Sequence, residues 1–331
     1  MTELAAMPPL DPHRAFAEMR ALGAFRSFSD DQLAGLALIA ERTALYPAQV
    51  LFEERDSGDD MYLLIVGDVE VVRATPVGEQ VLARLRSGTL LGEASFLDGG
   101  PRAGTVVAWF ESDLLRFPAR DLRHLCEDDP GFALALMRAL WRSLADKIRQ
   151  ANGQMASIMV ADGIRQEAQA VEGDRLSLLP DAKLQVLREQ GLGAGQLETL
   201  ARTLRSERFP PGAFIFTEGQ PGRALYLVAE GQVRVSRRFP GMGEEAIAIL
   251  RRGDIFGEMA LIDGQPRSAD ARSGDEGCTV LSVNRARLDE VLRQEPLAGT
   301  QFLQHLCRVL CRRLRAMNDL LVAWRTMAGF G

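Results

Sequence analysis

The sequence contains a glutamate and an arginine at one fixed spacing, and it contains that pair twice. Glu93 precedes Arg102 by nine residues, and Glu258 precedes Arg267 by nine residues. Arginine offers a planar, permanently charged set of donors that matches a phosphate, whereas a carboxylate repels phosphate and suits a hydroxyl donor. Each pair therefore predicts a pocket for a small phosphate ester that carries a free hydroxyl.

The residues around each pair form a segment that we call the cassette. Cassette 1 is LGEASFLDGGPRAG at 91–104, and cassette 2 is FGEMALIDGQPRSA at 256–269. The run GEASFLDGG predicts a brief helix that ends in glycines, and the start of a helix offers backbone N–H groups to an anion. Gly92 lets the backbone approach a ligand closely. We expect Pro101 to direct the chain into a strand that carries Arg102.

The two cassettes belong to a duplication of whole domains. Residues 31–73 align with 195–237, and a period of about 165 residues is too long for a solenoid. Each repeat is expected to begin with a short amphipathic helix, at 32–42 and at 196–205, followed by short strands such as MYLLIVG and ALYLVAEG. Many short strands separated by glycine and proline favour a jelly roll or barrel. The expected fold is mainly β with flanking helices (α+β): two jelly-roll β-barrel domains in tandem, each closed by a long C-terminal helix.

The closing helices carry apolar residues at alternating spacings of four and three, or nearly so, which indicates a seam that packs against another helix. The seam residues are Met137, Leu140, Leu144, Ile148, Ala151, Met155 and Ile158 in the first helix, and Leu303, Cys307, Leu310, Leu314, Met317, Leu321 and Trp324 in the second. Pairing with another long helix is the favoured interpretation, and packing of each seam on its own barrel is the alternative. The predicted domains span 1–160 and 181–331, joined by a polar, partly helical linker at 161–180.

The composition is that of an ordinary globular chain of about two domains. A net charge of −6 argues against a nucleic-acid binder. No apolar run is long enough to span a membrane, and the first residues do not resemble a signal peptide, so we expect a cytoplasmic protein with no membrane partner. Two local groups receive ordinary interpretations: a solvated helix face for Arg308, Arg312, Arg313 and Arg315, and buried helix positions rather than a metal site for Cys307 and Cys311.

The pattern F-G-E-x-A-L, with P-R-A/S following so that the arginine lies nine residues after the glutamate, resembles a known family. It is similar to the phosphate-binding cassette of cyclic nucleotide-binding domains. These domains occur in the regulatory subunits of cyclic AMP-dependent kinase, in bacterial catabolite activator proteins and in cyclic nucleotide-gated channels. The resemblance covers about 26–160 and 185–325 and includes the GDVEV and GQVRV hairpins.

The resemblance implies a role for each matching residue. Arg102 and Arg267 would bind the cyclic phosphate, and Glu93 and Glu258 would accept the ribose 2′-hydroxyl. The residues expected to line the ribose are Gly92 and Gly257 together with the backbone of Ala94 and Met259. Ala103 and Ser268 would place an N–H near the phosphate, and Ser268 would add a hydroxyl. Alanine and serine at these two positions favour cyclic AMP over cyclic GMP, since a threonine there often accompanies the guanine nucleotide in the family.

The cassettes also depart from the family pattern. Leu91 stands where the family often has phenylalanine, Ser95 follows Ala94 where the family has alanine after an aliphatic residue, and Gly104 replaces a usual alanine. Asp270 adds an acidic residue just after cassette 2. We expect the first site to differ in affinity through its shape and the second through this charge.

The sequence thus predicts a non-catalytic sensor with two sites for a cyclic nucleotide, cyclic AMP first and cyclic GMP second, and no other cofactor or metal. It would signal through repositioned helices to an unidentified protein partner. The sequence contains neither a kinase signature nor a helix-turn-helix region, so we expect neither catalysis nor direct DNA binding. Homodimer formation and intramolecular pairing of the closing helices are both open. The alternative function is a constitutive interaction scaffold whose pockets are empty or hold another ligand.

Overall fold

The computed structural model describes residues 10–76, 78–158, 170–176, 178–189, 198–239 and 243–328. The chain divides into two compact units. Unit 1 comprises Met1–Ala151 together with Leu310–Gly331, and unit 2 comprises Asn152–Val309. The predicted boundaries at 160 and 181 stay predictions about the order of the repeats along the chain, whereas these units record which residues pack together.

Unit 1 is built from two antiparallel sheets and the helices beside them. One sheet has the strand order β1-β8-β3-β6 and the other has the order β2-β7-β4-β5. The strands are β1 Glu41–Leu45, β2 Val50–Phe52, β3 Met61–Val66, β4 Asp68–Thr75, β5 Gly78–Arg86, β6 Leu90–Leu91, β7 Thr105–Ala108 and β8 Ser112–Phe117. The helices are α1 Pro12–Leu22, α2 Asp30–Ile39, α3 Glu93–Asp98, α4 Ala119–Asp128 and the first part of α5 Pro130–Ile158.

The core of unit 1 lies among residues of both sheets. Leu64 and Leu114 come from the first sheet, Val69 and Val106 from the second, and all four are buried in one apolar cluster. The strand MYLLIV is apolar at every position and buried at all but its last residue, which is typical of a strand in the interior of a domain. This packing holds cassette 1 between β6 and β7.

Unit 2 repeats the plan with longer strands. Its sheet has the order β13-β12-β15-β10-β9, with β11 paired to β15 and β14 paired to β12. The strands are β9 Asp174–Leu176, β10 Arg205–Phe209, β11 Phe214–Phe216, β12 Ala224–Phe239, β13 Gly243–Leu250, β14 Ile255–Phe256 and β15 Asp270–Asn284. The helices are α6 Pro180–Arg188, α7 Glu198–Thr203, α8 Glu258–Asp263, α9 Arg285–Gln294 and the first part of α10 Pro296–Ala328. The mixed α+β fold predicted from the sequence is confirmed.

The leading helices end earlier than the sequence pattern predicted. Helix α2 starts at a capping box in which the Ser29 hydroxyl accepts from the Gln32 backbone and the Gln32 side chain accepts from Ser29. It ends at Ile39, and Arg42 lies in β1, where it pairs with Leu115 across the sheet. Arg205 likewise lies in β10. The expected ranges 32–42 and 196–205 were wrong at these ends because strand pairing takes over the last residues.

The predicted linker is only partly described. Residues 161–169 lie outside the described part, and Asp174–Leu176 forms strand β9, which pairs with β10. The polar, partly helical linker therefore stays a prediction, and in this short stretch the backbone groups are satisfied by a sheet.

The closing helices carry the buried seams that the sequence predicted, and each helix is divided between the two units. Seam residues from Met137 to Met155 are buried, as are those from Leu303 to Leu321 apart from the half-buried Leu314; the side chains of Ile158 and Trp324 lie outside the described part. Residues 310–328 of α10 belong to unit 1, so packing of each seam on its own barrel alone was wrong. Cys307 and Cys311 are buried helix residues, as expected.

Within the part of the chain that the structure describes, no helix combines the length and the apolar character needed to cross a membrane.

The core of unit 1 leads to a stability prediction. Leu114 is 0 % exposed, so Leu114→Ala leaves a cavity and is expected to lower the free energy of unfolding of this unit by about 2–5 kcal/mol. Chemical denaturation followed by circular dichroism measures this change. Leu38, which is 73 % exposed, supplies the control, and Leu38→Ala is expected to change it by no more than about 0.5 kcal/mol. Equal effects of the two substitutions would contradict the assignment of the core.

Candidate ligand site

Each cassette folds into a short helix between two glycines with left-handed backbone angles. Gly92 (φ 80°) precedes α3, and Gly99 (φ 66°) ends it and donates its N–H to the Ser95 carbonyl. Gly257 and Gly264 do the same on either side of α8. The predicted brief helix is therefore confirmed. Arg102 lies three residues before β7 rather than on a strand, so that detail of the sequence prediction was wrong.

The Arg102 side chain is buried at the end of cassette 1, with 4 % of the residue exposed. Its Nη2 donates to the Asp60 carbonyl at 2.9 Å, and its Nη1 donates to the Gly92 carbonyl at 3.3 Å. The guanidinium carbon lies 4.3 Å from the centre of the Phe52 ring, which adds a cation–π contact. These contacts fix the orientation of the guanidinium group, and all of them come from neutral groups.

Arg267 has the same surroundings in unit 2, with 5 % of the residue exposed. It donates to the Gly257 carbonyl at 2.6 Å and to the Ala224 carbonyl at 2.8 Å, and it lies 4.1 Å from the centre of the Phe216 ring. The repetition of every contact shows that this arrangement is a property of the repeat.

Both guanidinium groups are buried charges for which the described residues supply no ion-pair partner. Among the residues that the structure describes, neither Arg102 nor Arg267 has a carboxylate within ion-pair distance, and the Nε of each is buried without a hydrogen-bond partner. Burial lowers the pKa of both arginines, because the charged form loses its hydration. A buried cation is costly unless it is paired, so each pocket is suited to an anion.

Glu93 is buried and occupies the first position of α3. It does not pair with Arg102; it forms an ion pair with Lys147 of α5, and the Lys147 ammonium also donates to the Leu90 carbonyl at 2.7 Å. Glu258 is buried at the corresponding position of α8. Glu93 and Arg102 of site 1 therefore do not form an ion pair with each other.

The glycines of the cassettes leave room for the arginines. A Cβ atom at Gly92 would lie 2.5 Å from the Arg102 Nη1 atom and 2.5 Å from the Asp60 carbonyl oxygen. At Gly257 a Cβ atom would lie 2.6 Å from the Arg267 Nη1 atom. Both positions are occupied by glycine because the guanidinium group lies too close to the backbone to leave room for a Cβ atom.

We define site 1 as the cavity next to Glu93 and Arg102, and site 2 as the equivalent region at Glu258 and Arg267. The predicted residues Gly92, Ala94 and Ala103 line site 1 with them. In unit 2, Met259 is buried next to Glu258, and its sulfur accepts the hydroxyl of Ser268 at 3.9 Å. The structure therefore brings the predicted residues of site 1 together around one cavity.

Asp270 has a structural partner of its own. Its carboxylate accepts the backbone N–H of Glu218 at 2.7 Å. Thr105, the equivalent residue of the first repeat, accepts the backbone N–H of Glu54 at 2.9 Å through its hydroxyl. The same bond is therefore made by a neutral group in unit 1 and by a carboxylate in unit 2.

Three kinds of site residue escaped the sequence analysis. Phe52 and Phe216 recur at equivalent positions, and that repetition was the available signal. Lys147 is one of two lysines in the chain, but nothing local marks it as a partner of Glu93. Leu314 and Asn318 of α10 line site 1, although they come from the closing helix of the second repeat. No pattern within the first repeat could indicate them.

The close approach at Gly92 can be tested against a matched glycine. Gly92→Ala adds backbone strain and a collision with Arg102, whereas Gly99→Ala adds similar strain (φ 66°) into open space. We expect Gly92→Ala to lower the free energy of unfolding of unit 1 by at least about 1–2 kcal/mol more than Gly99→Ala does. Denaturant titration of both variants measures the difference, and equal losses would contradict the crowding at Gly92.

Comparisons with known proteins identify the family of the chain. The family model "cyclic nucleotide-binding domain" matches residues 42–129 and 206–295, together more than half of the chain. A CRP-like cAMP-activated global transcriptional regulator of Mycobacterium tuberculosis is 34% identical over 132 residues, covering 40% of this chain and 57% of the relative. A cAMP-dependent protein kinase regulatory subunit of Yarrowia lipolytica is 28% identical over 222 residues, covering 66% of this chain and 45% of the relative. These matches thus span about half of the length of the relatives.

A solved structure, the regulatory domain of Toxoplasma gondii PKA with cAMP, is similar to this chain at 21% sequence identity and a TM-score of 0.33. The match covers 88% of this chain and 94% of the chain of the solved structure. The two matched segments of the family model each contain one complete cassette with its glutamate and its buried arginine. The chain belongs to the cyclic nucleotide-binding domain family and carries two such domains in tandem.

Proposed function

We propose that the protein is a non-catalytic sensor that binds one cyclic nucleotide in each domain and favours cyclic AMP. The observation that carries this proposal is the pair of buried guanidinium groups, Arg102 and Arg267, neither of which has a carboxylate partner in the part of the chain that the structure describes. A cyclic phosphate bears the single negative charge that would neutralise such a group. The free Nε of each arginine provides a donor for it.

The other residues of site 1 suit the rest of a nucleotide. Glu93 offers carboxylate oxygens to a ribose hydroxyl, and the backbone at Gly92 and Ala94 lines the same cavity. Val71 and Leu82 supply an apolar lining suited to the faces of a base. In unit 2 the equivalent roles fall to Glu258, Gly257 and Met259.

The choice of cyclic AMP over cyclic GMP rests on two supports. Ala103 and Ser268 follow the arginines at positions where a threonine often accompanies cyclic GMP in this family. The relatives described above are named for their activation by, or dependence on, cAMP. Cyclic GMP is the second candidate, since cGMP-dependent protein kinases also match the chain.

Lys147 offers a route from the ligand to a signal. A ribose hydroxyl that donates to Glu93 competes with the Lys147 ammonium for the same carboxylate. Lys147 lies on α5, so ligand binding would change the restraint on that helix and alter a surface presented to a partner protein. Such coupling requires that the two helix positions differ in ligand affinity. The alternative function, a constitutive scaffold, would leave the helices unaffected by nucleotide.

Isothermal titration calorimetry with cyclic AMP, and then with cyclic GMP, tests the proposal on the ligand-stripped full chain. Arg102→Ala and Arg267→Ala are each expected to weaken one site by about 30- to several-thousand-fold, because a buried charge loses its partner. The parent is expected to bind two equivalents of cyclic AMP and each variant one.

Two further variants control this test. Arg102→Lys retains the charge and loses the planar fork, so its affinity at site 1 is expected to fall between the parent and Arg102→Ala. Arg14→Ala removes an exposed arginine on α1 and is expected to change nothing. Absence of binding by the parent to both nucleotides would overturn the sensor proposal in favour of the scaffold.

The comparison of Asp270 with Thr105 leads to a prediction about site 2. In an Arg102→Ala background, Asp270→Thr retains an acceptor for the Glu218 N–H and removes a negative charge from the end of cassette 2. We expect cyclic AMP to bind site 2 about three- to tenfold more tightly, because electrostatic repulsion of its phosphate falls.

The reverse exchange, Thr105→Asp in an Arg267→Ala background, is expected to weaken site 1 by a similar factor in the same calorimetric experiment. An unchanged affinity in both variants would show that the charge of Asp270 does not act on the ligand.

A further inference from the structure

Unit 1 contains a second cavity, which lies between the end of β5 and the helix α5 and which we call the β5–α5 cavity. Its volume is about 470 Å³, within the range typical of small-molecule sites. It adjoins site 1, and Lys147 and Gln150 line both cavities. These two side chains donate to the carbonyls of Leu90 and Arg84, at 2.7 and 3.1 Å, and so join α5 to the sheet between the cavities.

Cations dominate the charge of the β5–α5 cavity. The charged residues that line it are Arg84, Arg86, Arg142, Lys147 and Asp146, so that one carboxylate faces four cations among the described lining residues. Two of the cations also have partners outside the cavity, since Arg84 pairs with Glu70 at 2.6 Å and Lys147 pairs with Glu93. The remaining balance of charge favours a ligand with more than one negative charge.

Neutral donors supplement these cations. Thr89 and Ser143 line the cavity, and the buried Ser143 hydroxyl has no hydrogen-bond partner in the part of the chain that the structure describes. The Arg84 guanidinium carbon lies 4.5 Å from the centre of the Trp109 ring, and this contact and the Glu70 pair together fix its orientation. Donors that are oriented before a ligand arrives lower the entropic cost of binding.

The second repeat replaces the polar groups of this cavity at the corresponding positions. The alignment follows from LARLRSGTL at 82–90 against IAILRRGDI at 247–255 and from the matching seams of the closing helices. The corresponding residues are Arg84 and Ile249, Thr89 and Asp254, and Ser143 and Val309. An arginine and two hydroxyls are thus replaced by two apolar residues and a carboxylate. The fold itself does not require these donors, so a ligand explains their presence in unit 1 better than folding does.

We propose that the β5–α5 cavity binds a second ligand, a small molecule that carries a diphosphate group. Arg86 and Arg142 bind the two phosphates as charged donors, and Thr89 and Ser143 donate from their hydroxyls. A single phosphate would fill only a small part of this volume, whereas a diphosphate can reach donors on both β5 and α5. This site is separate from sites 1 and 2 and does not depend on which nucleotide they bind.

Calorimetric titration with inorganic pyrophosphate at constant ionic strength tests the proposal. Every sample is the full chain with Arg102→Ala and Arg267→Ala, which removes the guanidinium groups of sites 1 and 2 as competing anion sites. We expect one equivalent to bind and Arg142→Gln to weaken this binding about tenfold or more, because a charged donor to phosphate is lost. Arg14→Gln removes an exposed arginine of α1 and is expected to leave the affinity within about twofold.

An exchange between the repeats tests the cavity at a second position. Thr89→Asp introduces the residue of the second repeat, where the Asp254 carboxylate accepts the backbone N–H of Arg251 at 2.8 Å and is thus compatible with this turn. Its negative charge is expected to weaken pyrophosphate binding at least about tenfold by repulsion. Thr89→Ser retains the hydroxyl and is expected to bind like its parent. Circular dichroism verifies that each variant is folded.

Three results would overturn the inference. The first is that pyrophosphate binds neither this chain nor the unmodified one, or binds the unmodified chain alone, which would place the anion at Arg102 or Arg267. The second is equal affinity of Thr89→Asp and Thr89→Ser. The third is an inorganic phosphate affinity equal to that of pyrophosphate, which would remove the reason for a second phosphate. Each of these results would leave the sensor proposal intact, because that proposal concerns the sites of Arg102 and Arg267.

Discussion

The structure depends on the burial of an arginine side chain in each unit that forms no ion pair with any described carboxylate. Arg102 and Arg267 are held by backbone carbonyls and by the face of a phenylalanine, which orient the guanidinium but leave its charge uncompensated. The surrounding sheets fix these carbonyls in place, and a guanidinium group held in this way is suited to an anion. The glycines, the short helices and the turns of the cassettes all serve to create that position.

The two units show how a duplicated site can diverge while its central interaction is retained. Both arginines make the same set of contacts, yet the backbone bond beside them is accepted by Thr105 in one unit and by Asp270 in the other. In unit 1, Lys147 additionally forms an ion pair with the carboxylate of Glu93. A difference in anion affinity between the two sites would therefore arise from these neighbouring charges rather than from the contacts of the arginines.

The closing helices give the duplication a consequence that two separate domains would lack. Because α10 begins in unit 2 and ends in unit 1, a side chain such as Arg315 can restrain a cassette that precedes it by more than two hundred residues. The interpretation of Arg315 as part of a solvated helix face was therefore wrong. Arg73 of β4 contacts Asp319 of α10, and Arg237 of β12 donates to the Asn152 carbonyl of α5, so the two units contact the closing helices through equivalent arginines.

The sequence alone determined the duplication, the α+β class, the short cassette helices and the buried seams, because these follow from local periodicity, from glycine and from repeated motifs. It also identified Glu93, Arg102, Glu258 and Arg267 as candidate site residues through their spacing. Only the tertiary structure decided that Arg102 pairs with none of the described carboxylates, that Glu93 pairs with Lys147 and that Asp270 accepts the Glu218 N–H. It alone placed Leu314 and Asn318 at site 1 and Arg315 against Asp98 and Pro101 of cassette 1. These contacts join residues far apart in the chain, and only the packing of the sheets and helices brings such residues together.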